Sequence, residues 1–147
     1  MKKYSRVCAR IDLDAVEYNL DMMNQNIKEE TKMIGVIKTD GYGHGAVQIA
    51  RYVMEEKDYI WGYAVATLDE AVLLKKNQVK KPVLVLGCIF PDQRDIMIEQ
   101  EVRMTCYTLE MAEDISKRAQ KLNQKAYIHI KLDTGMSRLG FQITEES

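Results

Sequence analysis

Lys32-Met33-Ile34-Gly35-Val36-Ile37-Lys38, then Thr39-Asp40-Gly41-Tyr42-Gly43-His44-Gly45, then Ala46-Val47-Gln48-Ile49-Ala50 is the stretch that decides the fold. Its first seven residues are a short, nearly continuous apolar run, which reads as a strand buried on both faces, as in a parallel sheet. The strand ends at Lys38. A glycine-dense turn follows, and Ala46, Val47, Ile49, Ala50, Val53 and Met54 then recur as one helical stripe. Strand, tight turn, helix is the repeating unit of proteins whose strands all run the same way.

The same cycle extends in both directions. Upstream, Asp12 is placed to cap a helix whose apolar face is Leu13, Val16, Leu20, Met23 and Ile27. Downstream, Ile60–Val65 reads as a strand, and Thr67-Leu68-Asp69-Glu70 is a capping box opening a helix to about Lys76. Pro82–Gly87 is a third strand, and Pro91 begins a helix to about Gln100. Val102–Tyr107 is a fourth strand, Thr108 caps a helix to about Leu122, and Ala126–Leu132 is a fifth strand. Such alternation implies an α/β fold with parallel strands joined by right-handed crossovers, either an open doubly wound sheet or a (β/α)8 barrel. A barrel uses about 31 residues per unit, so 147 residues hold between four and five units and cannot close one. The expectation is a partial (β/α)8 TIM-type barrel of about five of the eight units. The tail Phe141–Ser147, which reads as the opening of a helix, favours the first part of a larger protein.

Charge narrows the partners. The chain carries 21 Lys and Arg against 22 Asp and Glu, with no long run of one sign, so nothing draws it to nucleic acid or an anionic membrane. Met1–Arg6 has the charge of a signal-peptide start, but Arg6, Arg10, Asp12 and Asp14 interrupt any apolar stretch after it. The longest uncharged apolar run, Pro82–Phe90, is far short of the roughly 20 residues of a spanning helix. Cys8, Cys88 and Cys106 are widely spaced and form no CxxC pair, which argues against a disulfide framework or a metal site and for a reducing, cytoplasmic setting.

Lys38 is the most informative single residue, because parallel α/β folds place their active sites at the carboxyl ends of strands. A partly buried lysine amine is a nucleophile toward aldehydes, with a Schiff base as its natural product. The alternative is a strand-terminal lysine reaching into solvent. Gly41-x-Gly43-x-Gly45 allows close backbone approach to an anion at the start of the next helix, with Tyr42 offering a hydroxyl. It is neither a P-loop nor the GxGxxG fingerprint, and three glycines in a turn are more often just a turn; His44 reads as structural. A second basic strand end is Lys131-Leu132-Asp133-Thr134-Gly135-Met136-Ser137-Arg138, which presents Arg138 from a polar loop. Its alternative is a turn at Asp133-Thr134-Gly135 with Arg138 as a solvated surface charge. His129 falls within the preceding strand and has no spaced partner for a metal.

Taken together, Val36-Ile-Lys-Thr-Asp-Gly-Tyr-Gly-His-Gly45 and His129-Ile-Lys-Leu-Asp-Thr-Gly-Met-Ser-Arg-Leu-Gly140 closely resemble the signature segments of alanine racemases, the fold-type-III pyridoxal-phosphate enzymes. Ile11–Leu20, Trp61–Ala71 and Pro82–Gly87 resemble the same family in the same order, so the likeness spans nearly the whole chain. It implies that residues 1–147 are the N-terminal part of the cofactor-binding barrel, without the C-terminal β domain. It implies that Lys38 is the Schiff-base lysine and one of two acid/base groups, that Tyr42 holds the cofactor phosphate, and that Arg138 donates to the phenolic oxygen of the ring. Lys131 matches a position carbamylated in some members, where the new carboxylate orients that arginine. The family pattern has Ala or Asn where this chain has Thr39 and Gly41, a mild change that reads as a loosened turn.

The resemblance further implies a PLP-dependent isomerase with a small amino-acid substrate, L- and D-alanine, supplying D-alanine for peptidoglycan in a bacterial cytoplasm. The intact protein is expected to be a homodimer, and this portion alone to be inactive, since the opposite-face base lies in the missing domain. Two alternatives are a serine racemase of the same family and a non-catalytic PLP-binding barrel protein.

Overall fold

The computed structural model of the chain describes residues 7–142. The signal-like start at Met1–Arg6 and most of the helix expected from Phe141 onward lie outside those residues. Asp12 acts as the periodicity requires: its backbone is extended, its carboxylate accepts the Ala15 amide at 3.1 Å, and α1 runs Leu13–Gln25. Leu13, Val16 and Leu20 lay its apolar stripe against the core. On the same helix Glu17 and Asp21 meet Lys57, at 2.6 and 3.0 Å, and the Tyr59 hydroxyl donates to Asp21. That bond and Lys57 hold the Asp21 carboxyl below its ordinary range, while burial and Asp21 push the Tyr59 phenol up to about 12.

Five short strands follow, β1 (Met33–Val36), β2 (Ile60–Val65), β3 (Val83–Val85), β4 (Arg103–Cys106) and β5 (Ile128–Ile130). Between them lie α2, which begins at Ala46–Ile49 and continues as a π-helical turn over Ala50–Met54, and α3 (Leu68–Lys76). A 3₁₀ turn at Pro91–Gln93 runs into α4 (Arg94–Glu99), and α5 is Leu109–Leu122. Both expected threonine caps form: Thr67 accepts the Glu70 amide, Thr108 accepts the Met111 amide, and Glu70 completes its capping box.

All neighbouring strands pair in parallel, in the order β1-β2-β3-β4-β5. A doubly wound sheet reverses its order around the first strand, so consecutive order selects the other expectation: five units of a barrel wall. No helix among the described residues is long and apolar enough to cross a membrane.

The rows of the sheet tell its two faces apart. Gly35, Tyr63 and Val83 share one row, and Val65 and Val85 lie on the same face. Tyr63 lies fully buried under α2, its hydroxyl within hydrogen-bond distance of the Ala50 carbonyl and the Glu55 carboxylate. Val36, Ala64, Leu84 and Arg103 form a row of the opposite, concave face. There Ile34 and Val36 are 40% and 44% exposed. The expectation of a first strand buried on both faces is therefore corrected: helices cover one face, and the concave face is open at β1.

A bulge bends β2. Ile60 pairs with Met33 and Gly62 with Ile34, so Trp61 is an extra residue, and its ring reaches the His129 ring at 5.7 Å. Strands sit about 4.8 Å apart, so β2 and β5 would stand about 14 Å apart in a flat sheet. Contact between their side chains reports the curvature of a barrel wall. Arg103 stacks over both Trp61 and Tyr127 at 4.8 Å, and burial, with the Arg103 charge second, holds His129 below its ordinary pKa.

Candidate active site

Parallel pairing puts the carboxyl ends of all five strands on one edge. At β1 that end is fixed by Ile37, which is buried and donates its amide to Ala64 at 2.9 Å. Lys38, half-buried, is the next residue. The chain then does something the sequence did not announce. Thr39, Asp40, Gly41 and Tyr42 all take positive φ, from 51° to 62°, and Gly41 and Gly43 donate to the carbonyls of Ile37 and Thr39 at 2.9 and 3.0 Å. This is one turn of left-handed helix.

Left-handed backbone costs an L-residue about 1–2 kcal/mol, least for Gly and Asp and most for a β-branched residue such as Thr39. Gly41 is buried, and a Cβ there would stand 3.2 Å from the Ala46 nitrogen and 3.3 Å from the Ile49 side chain. The reading of Gly41 as a loosening change is thus corrected: it is the residue that lets the turn close against α2. Two carboxylates pin the rest. Asp40 accepts the Ala46 amide at 2.9 Å, and Glu70 accepts the Thr39 amide at 2.6 Å. His44 Nδ1 lies 3.1 Å from the carbonyls of Gly41 and Tyr42, the structural role expected of it. The turn brings the Lys38 amine to 5.8 Å from the Tyr42 ring centre, with Tyr42 58% exposed.

At the other side of the edge, the Lys131 amide donates to Cys106 at 2.8 Å, which extends the β4–β5 pairing to the half-buried Lys131. Leu132 then bridges to Phe141, with Asp133 donating to the Phe141 carbonyl and Phe141 to that of Lys131. Phe141 is strand-like, which corrects its reading as the opening of a helix. The loop between is organised by Asp133, whose carboxylate accepts the amides of Gly135 and Ser137 at 3.0 and 2.9 Å and the side-chain amide of Gln142. Arg138 stands exposed on this loop.

The Ser137 amide, then that of Gly135, holds the Asp133 carboxyl below its ordinary value. A depressed carboxylate contributes stability that is present above the unfolded pKa and lost as pH falls through the folded one. Protection of the Gly135 and Ser137 amides against hydrogen exchange is accordingly expected to fall on acidification below about pH 4. In Asp133→Asn it should be low and flat across that range; an unchanged pH profile in the variant would remove Asp133 from this role.

The structure therefore brings Lys38 and Tyr42 together and sets Lys131 and Arg138 on the same edge, four strands away. The edge is chemically one-sided. Asp40, Glu70 and Asp133, in or bonded to the two loops, are all committed to backbone amides, and the loops and strand ends present an amine, a phenol, a second amine and a guanidinium. That donor set suits a phosphorylated aldehyde: the amine to join the carbonyl, the cations and phenol to receive anionic oxygens. Sequence reasoning named these four residues but missed the supporting carboxylates. The capping box exposed one duty of Glu70, not its reach to Thr39, and nothing in the spacing marked Asp40 or Asp133.

Known proteins share this fold and much of this sequence. The profile of the family described as "Alanine racemase, N-terminal domain" matches residues 11–147. Alanine racemase 2 of Oceanobacillus iheyensis is 39% identical over 145 residues, covering 98% of this chain and 36% of that protein. Alanine racemase of Clostridium kluyveri is 40% identical over 146 residues, covering 99% of this chain and 37% of that one. The solved alanine racemase of Clostridium difficile 630 superposes with a TM-score of 0.88 at 40% identity, over 92% of this chain and 35% of that one. The chain spans little more than a third of the length of these relatives. Its helix-backed wall of five consecutive parallel strands and its matched residues 11–147 place it in the alanine racemase family, as the N-terminal domain.

Proposed function

We propose that this chain is the lysine-bearing portion of a pyridoxal-phosphate-dependent alanine racemase, interconverting L- and D-alanine as a cytoplasmic source of D-alanine for peptidoglycan. The observation that carries the reading is the left-handed turn that ends β1 and holds the Lys38 amine beside Tyr42. When bound, pyridoxal phosphate supplies an electron-accepting ring that acidifies the amino-acid Cα–H.

The residues of this chain do the rest of the work assigned to it. Lys38 would hold the cofactor at its aldehyde carbon and, with its amine free, would carry a proton to or from one face of the substrate Cα. Tyr42 would donate its hydroxyl to the cofactor's phosphate, and Arg138 would donate to the ring's phenolic oxygen. Lys131, half-buried at the end of β5, supports Arg138 if its amine is carbamylated. Inversion at Cα needs a second base on the opposite face. That group lies outside this chain, in the part of the relatives it does not span, and we place it in a partner subunit of a homodimer.

The test is chiral separation of alanine. A protein continuing this chain to the length of its relatives is expected to bring L-alanine to an equal mixture of both enantiomers. The 147-residue chain with added pyridoxal phosphate is expected to form no D-alanine above background. D-alanine from the short chain alone, lost in Lys38→Ala, would show that this portion needs no second base from elsewhere; failure of the long protein on alanine would overturn the substrate.

A further inference from the structure

We propose that Glu70 is the positioning residue of the lysine turn, fixing the backbone directly after Lys38 and so setting the direction in which the Lys38 amine is presented. The proposal rests on the reading of Lys38 as the attachment point. In an ordinary capping box the glutamate only returns to the amide of its own helix cap. Glu70 does that with one oxygen, which accepts Ala66 at 2.7 Å and Thr67 at 3.2 Å. Its other oxygen leaves α3 altogether and accepts the Thr39 amide at 2.6 Å.

The Thr39 amide belongs to the peptide whose carbonyl is that of Lys38, and the Thr39 hydroxyl donates to this carbonyl at 2.7 Å. One peptide plane is thereby held on both sides. Thr39 needs that restraint: it is β-branched and sits at φ 51°, ψ 50°, in the left-handed region. Without an acceptor for its amide the Thr39 peptide loses its one tie to α3, leaving only the turn's internal bonds and the Asp40 bond to Ala46 against relaxation to negative φ, which would rotate the peptide and carry the Lys38 side chain with it. Glu70 also ties this plane to the end of β2 through Ala66, so the amine is referenced to two strands of the sheet rather than to a free loop.

The competing explanation is that Glu70 merely stabilises the start of α3. Thr67→Ala isolates that role, because it removes the other half of the same cap and leaves the bond to Thr39 in place. Two readings are taken on the 147-residue chain. The first needs no cofactor: hydrogen exchange at the amides of Thr39, Gly41 and Gly43. The second is the ratio of pyridoxyl mass on Lys38 to that on Lys131 after pyridoxal phosphate and borohydride.

In Glu70→Ala the turn amides are expected to exchange about tenfold faster, the scale of one lost charge-assisted hydrogen bond, and the labelling ratio to fall about tenfold. Thr67→Ala should leave both within about twofold of the parent while lowering the melting temperature comparably. Glu70→Gln, which keeps the side chain's bulk and one acceptor, should fall between and reports should Glu70→Ala fail to fold. Equal exchange in Glu70→Ala and Thr67→Ala, or faster exchange with an unchanged labelling ratio, overturns the proposal. A parent chain with no preference for Lys38 overturns the cofactor reading and this proposal with it, and the exchange arm tells that outcome apart from absence of the clamp.

Discussion

Gly62→Ala is expected to lower the thermal midpoint of the chain by about 10 °C, a large stability loss for so small a change. A Cβ at position 62 would stand 2.5 Å from the Pro82 carbonyl oxygen and 3.3 Å from the Pro82 carbonyl carbon. That oxygen is not free to move, because it accepts the Tyr63 amide at 2.8 Å, and Tyr63 is fully buried. The methyl group must either break the bond joining β2 to β3 or push the strands apart. Overpacking and one lost backbone bond together cost about 3 kcal/mol, and each kcal/mol is worth about 3–4 °C at this chain length. Gly35→Ala is the matched control. Its Cβ meets Met54 Sδ at 2.8 Å, the end of a flexible side chain that can turn away, so a loss nearer 1 kcal/mol is expected. Melts followed by circular dichroism decide it, and a Gly62→Ala midpoint within about 2 °C of the parent would refute the packing of β2 on Pro82.

The second large effect is functional. In a protein continuing this chain to the length of its relatives, Lys38→Ala is expected to lower alanine racemisation by at least about a thousandfold. On the proposed reading the substitution would remove two duties at once, holding the cofactor and moving the proton on one face of Cα. Neither neighbour replaces it. Tyr42 carries a phenol, and Lys131 stands four strands away along the edge. Kinetics should separate the duties: exogenous amine is expected to restore part of the turnover without restoring retention of the cofactor through dialysis. A variant keeping more than about a tenth of the parent's turnover would remove Lys38 from the reaction.

How far these residues were legible in the sequence differs by level. β1 and its end at Lys38 could be read because an apolar run stops abruptly at a charge and glycines follow. The caps at Asp12, Thr67 and Thr108 were legible because a side-chain oxygen three residues before an amide is a local signal. The order of strands was not legible from periodicity, which carries no record of the direction each crossover takes; consecutive pairing along the sheet decided it.

The left-handed turn escaped for a physical reason. Thr39 is β-branched and disfavours positive φ, and the carboxylate that holds its amide there is Glu70, 31 residues away, while Asp40 is tied to Ala46. The bulge at Trp61 escaped likewise, since it appears only as a shift in pairing with β1. The four residues of the candidate site were legible as strand-end chemistry, and the resemblance assigned their roles. The carboxylates that free those cations by engaging backbone amides were not, because a carboxylate's partner is a matter of tertiary geometry.

The most direct measurement of the central claim is peptide mapping of the 147-residue chain after incubation with pyridoxal phosphate and reduction with borohydride. The account requires one dominant pyridoxyl modification, on Lys38, disappearing in Lys38→Ala without moving elsewhere. Modification spread over exposed lysines such as Lys76 and Lys117 in proportion to their accessibility, with Lys38 no more reactive than they are, would contradict it.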